Sequence, residues 1–280
     1  MRKMLTILFS AALALCLITG PAQAQGKFSF KVTGGLAYAS AADINNGLQG
    51  LADLYETVFV DYGWSVTNGY AAAHLGMDFG AEFSLEIAPN VSVGLGVGYL
   101  KVSKSSHLDF TYGSVTATQS WAPQITAIPI TLTFYYDLPV GPTVKVTLHG
   151  GLGYYLAKYK DTQHIDYFGV FNPTADTSAN GLGFHGGIGL EFQLTAQFGL
   201  LLEARGRYAA FGNVTGTNTW SGGSTTGKLY FYEFEETGYG WFPAVGIWDT
   251  TPSGAWIRNV REAKIDFNGF SLRLGFVVHI

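Results

Sequence analysis

The side chains best suited to acid–base or metal chemistry are six histidines in a chain of 280 residues. Four of them, His74, His149, His185 and His279, fall on the same alternate-residue parity as Asp78, Glu82, Glu86, Glu191 and Glu203. A metal needs three or four such donors gathered at one point. These four are spread along several segments, so polar filling of an interior accounts for them better than a metal centre. His164-Ile165-Asp166 sets a general base near a carboxylate, with no second acid–base pair beside it. Gly181, Gly183 and Gly186 spell G-x-G-x-x-G, yet the segment reads as a strand with no helix after it, which argues against a nucleotide site. The single cysteine, Cys16, lies in an apolar leader, so disulfide and thiol chemistry are not expected of the rest of the chain. No catalytic, cofactor-binding or metal-ligating residue is assigned, no cofactor is expected, and the chain reads as a non-enzyme.

Composition narrows what must hold these side chains. Charged residues are 13%, against 48% apolar and 15% aromatic, with 37 glycines. Soluble domains typically carry about 25% charged residues, so this surface is poorly suited to water. The start, "MRK", then "LTILFSAALALCLITG", then "AQA", has the basic, apolar and small-residue order of a secretory signal peptide over residues 1–24. Leu15 stands before Cys16 where a lipoprotein-type site wants a small residue. Removing Arg2 and Lys3 takes the formal charge from -4 to -6. A mildly acidic exported chain without basic clusters gives no reason to expect nucleic acid.

Residues 25–280 read as one domain of paired strands. In "GFHGGIGLEFQLTAQFGLLLEARGRY", Gly183 to Tyr208, alternate residues from Phe184 are bulky and apolar, and the parity resumes at Phe198 after a short turn. This period of two predicts two strands and a tight connection. Four strands beginning at Phe28, Val91, Val144 and Phe198 end their apolar parity on Tyr38, Tyr99, Tyr154 and Tyr208. Return strands run Met77 to Ile87, Ile128 to Leu138, Phe184 to Leu194 and Phe270 to Ile280. About ten tilted residues climb roughly 25 Å, the height of the apolar band on a membrane barrel, and tyrosines at one depth suit its interfacial girdle. Only "APN", "PVGP" and "TAQ" join the strands at one end. The other links run approximately over 39–73, 103–122, 160–181 and 210–264.

A soluble ligand-carrying barrel would turn the bulky parity inward. Its outer wall would then be Gly76, Asp78, Gly80, Glu82, Ser84 and Gly94, Gly96, Gly98, too sparse in charge to face water. In a membrane barrel the bulky parity meets lipid, and Arg205, Arg207 and Arg273 turn inward with the acids. An arginine facing lipid near midplane costs about 2–4 kcal/mol, so the inward phase is favoured, with ion pairs filling the bore.

On "GGIGLEFQLTAQFGLLLEARGRY" and the terminal "FSLRLGFVVHI", the chain resembles the small outer-membrane β-barrel proteins, the OmpA/OmpX-like or outer membrane protein beta-barrel domain group. The resemblance implies an all-β, eight-stranded antiparallel up-and-down transmembrane β-barrel with long extracellular loops, in the bacterial outer membrane. It implies contact with outer-membrane lipid and the barrel-assembly machinery as insertion partner. The last strand departs from the family where Ile280 replaces the usual aromatic residue. Against the outer-membrane lipid A deacylases, "HGG" follows His185 in place of "H-x-S". The expected role is non-enzymatic: envelope structure, or binding of a surface ligand through the loops. The alternatives are a narrow channel for small or apolar solutes and an outer-leaflet lipid-modifying enzyme. "INNGLQGLADLYETVF" has the spacing of a short helix, and "KLYFYEFE" reads as a protruding hairpin over the mouth. Were that hairpin to enter the membrane, the strands would number ten.

Overall fold

The computed structural model describes residues 27–166 and 169–280; the expected signal peptide and Cys16 lie outside the described residues. The period-two segments form eight long strands: β1 (Phe28–Ala39), β2 (Leu75–Ala88), β3 (Val91–Ser103), β4 (Gln124–Pro139), β5 (Val144–Ile165), β6 (Thr174–Gln193), β7 (Phe198–Tyr208) and β8 (Gly269–His279). Each pairs antiparallel with the next, and β8 pairs with β1 in a register that sets Leu36 opposite Leu272. Following the pairings from β1 therefore leads back to β1. Every such pairing satisfies backbone N–H and C=O groups, which hydrocarbon cannot do.

The bulky parity is outside. Leu200, Leu202, Leu272, Leu274 and Phe276 are exposed, Leu272 at 56%, whereas Arg205 on the other face is 8% exposed. Tyr99 and Tyr208 are exposed and Tyr38 and Tyr154 half-buried on the outward parity.

Beyond the tyrosines the strands continue and their faces change character. On β5 the outward series Leu148, Leu152, Leu156 becomes Lys158 and Lys160, while the inward series passes from His149 to Tyr155, Ala157 and Tyr159, all buried. β3 and β4 do the same, with Leu100, Val102, Ile125 and Ala127 buried above the glycines and threonines of the lower bore. Where the outside medium is water, apolar groups gain by moving inside. One continuous strand thus serves two environments.

This continuation corrects two expectations. The long third link, expected over approximately 160–181, is mostly strand: β5 and β6 run 22 and 20 residues and stay paired up to Thr162 and Thr174. The short helix of the first link is a 20-residue helix, α1 (Ala42–Asp61). It lies over the long-link end of the bore with Ile44, Leu48 and Ala52 in a core shared with Phe110, Trp121, Ile125, Leu229 and Phe267. The second link contributes a hairpin, Ser106–Tyr112 with Val115–Trp121. In the fourth link, strand Gly223–Glu236, which contains the "KLYFYEFE" segment, pairs with Thr215–Trp220, Gly240–Trp248 and Ile257–Glu262. It does not insert among the eight long strands. The tryptophans of this link are mostly packed, with Trp220, Trp241 and Trp248 half-buried and Trp256 exposed.

Helix α1 meets strand Gly240–Trp248 at backbone range, because Gly47 and Gly50 share one face three residues apart. A Cβ at Gly47 would sit 2.7 Å from Val245 N, and one at Gly50 would sit 2.1 Å from the Pro243 carbonyl oxygen. Gly50→Ala should force helix and strand apart at a cost of about 1–3 kcal/mol. Limited proteolysis should then nick residues 209–268 faster, while the heat-dependent gel mobility of the strands in lipid is retained; an unchanged nicking rate would count against this contact.

Candidate functional site

The inward parity of the eight strands builds one continuous polar interior. At its centre Glu203 Oε1 accepts from Arg205 Nε at 3.1 Å and from Arg273, with His149 Nε2 at 3.6 Å. Asp78 Oδ2 accepts from Arg207 at 3.0 Å and from Ser271 Oγ at 2.6 Å, and Arg273 lies 3.7 Å from Asp78 Oδ1. Glu82 accepts from Tyr135 and, at 3.2 Å, from Thr133, with Lys31 Nζ at 3.7 Å; Lys31 also lies over the Tyr135 ring. Toward the short-turn end Lys145 bridges Asp137 at 3.1 Å and Glu191 at 3.0 Å, and His279 reaches Glu191 at 2.6 Å.

Of the predicted interior groups, Asp78, Glu82, Glu203 and the three arginines are brought together, Glu191 lies apart toward the short-turn end, and Glu86, half-buried, makes none of these contacts; the structure adds Lys31, Asp137 and Lys145. All three were visible in the sequence as the odd-parity neighbours of Phe30, Tyr136 and Val144. Of the histidines, only two approach one another. His149 and His185 have ring centroids 6.4 Å apart. Each heads a His-Gly-Gly run, and the antiparallel register sets His149 opposite Gly187 and Gly151 opposite His185. A Cβ on Gly187 would lie 2.9 Å from the His149 ring, and one on Gly151 would lie 3.0 Å from that of His185, so glycine makes room for each imidazole. His185 Nε2 is 3.1 Å from Thr133 Oγ1. His279 is at the opposite end from His74, whose Nδ1 is 3.0 Å from the Ala39 carbonyl oxygen.

The sequence-level pair His164 and Asp166 is divided between other partners: His164 Nδ1 lies 2.7 Å from Asn172 Oδ1, and Asp166 accepts from the Thr118 backbone N–H. Gly181, Gly183 and Gly186 all lie within β6. Among the described residues no group of three or more metal-ligating side chains is placed to hold an ion.

Above the bore, α1 is fastened by buried polar contacts. Asp43, in its first turn, takes both Arg261 guanidinium nitrogens at 2.6 Å and the Lys264 backbone N–H at 2.9 Å. A carboxylate there also suits the positive end of the helix dipole. Asn45 Oδ1 accepts from Tyr70 OH at 3.0 Å and the Ala73 N–H at 2.9 Å. Asp161 lies in the same water-side region, beyond Tyr154 and past the outward Lys158 and Lys160. Burial raises its carboxyl to about 6, against hydrogen bonds from Gln163 and the Ala122 N–H.

The arrangement resembles known proteins in kind. The family described as outer membrane protein beta-barrel domain matches residues 9–227. Among solved structures the chain is similar to the crystal structure of the outer membrane protein OprG from Pseudomonas aeruginosa, at 13% identity over 90% of this chain and 95% of that one, with a TM-score of 0.33. A superposition that loose carries no argument about detail. No curated protein matches the chain.

Two outcomes follow from these contacts. Glu203→Gln leaves Arg205 and Arg273 without their shared carboxylate, and should destabilise the folded protein by about 3–5 kcal/mol in denaturant unfolding from lipid; a loss under 1 kcal/mol would refute the pairing. Asp161 has its folded value raised from 3.8 to about 6, so the fold holds a proton that the unfolded chain releases first. Stability should fall as pH rises from about 4 to about 6, by roughly 3 kcal/mol in all. Asp161→Asn should flatten that part of the pH profile, and an unflattened profile would remove Asp161 as its source.

Proposed function

The chain belongs to the outer membrane protein beta-barrel domain family, in the bacterial outer membrane, and from that premise we propose a sealed, non-enzymatic, eight-stranded transmembrane barrel that carries a folded surface module. The ring of eight successive pairings, β8 with β1 included, supports the strand number. The short turns would face the periplasm and the long links the exterior, as in outer-membrane barrels generally. Barrels of this size have interiors filled by side chains.

The observation that carries the reading is the state of the bore. Its charged side chains are tied to one another by ion pairs around a remaining space of about 40 Å³, with α1 packed over the end. A solute would have to break ion pairs and lift a helix to cross. An enzyme of the outer leaflet would want its base near the lipid, whereas His185 is buried in the bore against Thr133. Surface interaction falls to the cap, whose exposed groups include Trp256, Arg258 and Tyr62. Insertion would use the barrel-assembly machinery, with Leu272, Leu274 and Phe276 on the outward face of β8 as its signal.

Recording from the heat-shifted, folded form in planar bilayers tests this. No steady conductance is expected at either polarity. A steady open level would replace the sealed reading with that of a narrow channel.

A further inference from the structure

We propose that the bore holds a buried monovalent anion of halide size beside Arg205, Arg207 and Arg273. The first ground is a charge count. The charged residues lining the central space are Lys31, Arg205, Arg207 and Arg273 against Asp78, Glu82 and Glu203, four cations to three carboxylates; the bore as a whole reaches balance only toward the short-turn end, where Lys145 sits between Asp137 and Glu191. An uncompensated charge in a buried site costs far more than a paired one.

The second ground is how the carboxylates and the guanidinium groups are matched. Glu82 is taken up by Tyr135, Thr133 and Lys31. Asp78 Oδ2 serves both Arg207 and Ser271. One oxygen of Glu203 serves two guanidinium groups, those of Arg205 and Arg273. Donors are left over: the Nε–H groups of Arg207 and Arg273 are buried without a hydrogen-bond partner. Arg273 is 5% exposed and Arg207 9%. Buried polar groups of this kind are normally satisfied, so the orphaned donors and the local excess of positive charge call for the same thing, an acceptor carrying one negative charge.

The third ground is space. Gly80, Gly96 and Gly98 form one wall of a void of about 40 Å³. A water needs about 10–15 Å³ on this measure. The void therefore takes a chloride or bromide ion with a water or two, and is too small for a bulky organic anion.

The protein is refolded into detergent in chloride, bromide or gluconate at equal ionic strength. The temperature at which it loses its folded gel mobility should rise with chloride or bromide concentration, as expected for a ligand bound only by the folded state, and should not rise with gluconate. Crystals grown in bromide should show an anomalous peak inside the void. Arg205→Gln, which leaves three cations against three carboxylates around the void, should abolish the halide dependence. Should that variant fail to fold, the wild-type crystal still decides. Equal melting in halide and gluconate, or bromide peaks only at the surface, would overturn the proposal and leave the void to water.

Discussion

A strand that leaves hydrocarbon for water without breaking must exchange its faces, and the rest of this architecture follows from that exchange. In the lower part apolar groups are driven outward, because lipid is the better solvent for them, and the polar remainder must find partners inside. In the upper part water is outside, so the same backbone carries Lys158 and Lys160 outward and Ala157 and Tyr159 inward. A single wall therefore encloses a polar bore below and an apolar core above. Helix α1 can sit at the long-link end because the wall there offers it Leu100 and Ile125, joined by Phe110 of the second-link hairpin.

The bore solves a different problem. Ten charged side chains, Lys31, Lys145, Arg205, Arg207, Arg273, Asp78, Glu82, Asp137, Glu191 and Glu203, share a space too narrow for water to solvate each one. Their stabilisation comes from mutual hydrogen bonds, and single groups serve several partners, as Glu203 and Lys145 do. Glycines set the clearance: the rings of His149 and His185 fit because their cross-strand neighbours have no side chain. Such a filling holds strand register firmly, since a one-residue slip would turn the slipped strand's charges toward lipid.

Much of this was legible in the sequence, for a definite reason. Alternation with a fixed phase is dictated by lipid on one side, so β7 and β8 and the inward arginines could be read from residues such as Leu200, Leu202 and Arg205 alone. The reading stopped at the tyrosines because the phase of hydrophobicity reverses there. Ala157, Tyr159 and Ala179 are apolar on the parity that had been polar, and a rule with constant phase sees a loop where there is a strand. The fastening of α1 was beyond reach for another reason. Asp43 and Arg261 are 218 residues apart in the chain, and nothing local to either announces the other. Gly47 and Gly50 could be read only as ordinary helix residues until strand Gly240–Trp248 was seen against them.

The distance between Asp43 and Arg261 also bears on how the molecule is made. The helix that follows the first strand is tied down by residues just ahead of the last strand, and the first and last strands are each other's neighbours. Closing the seam and fastening the helix thus both depend on the last stretch of the chain, from Arg261 onward. A chain ending before Arg261 would carry the helix without its clasp and the first strand without the neighbour that meets it edge to edge.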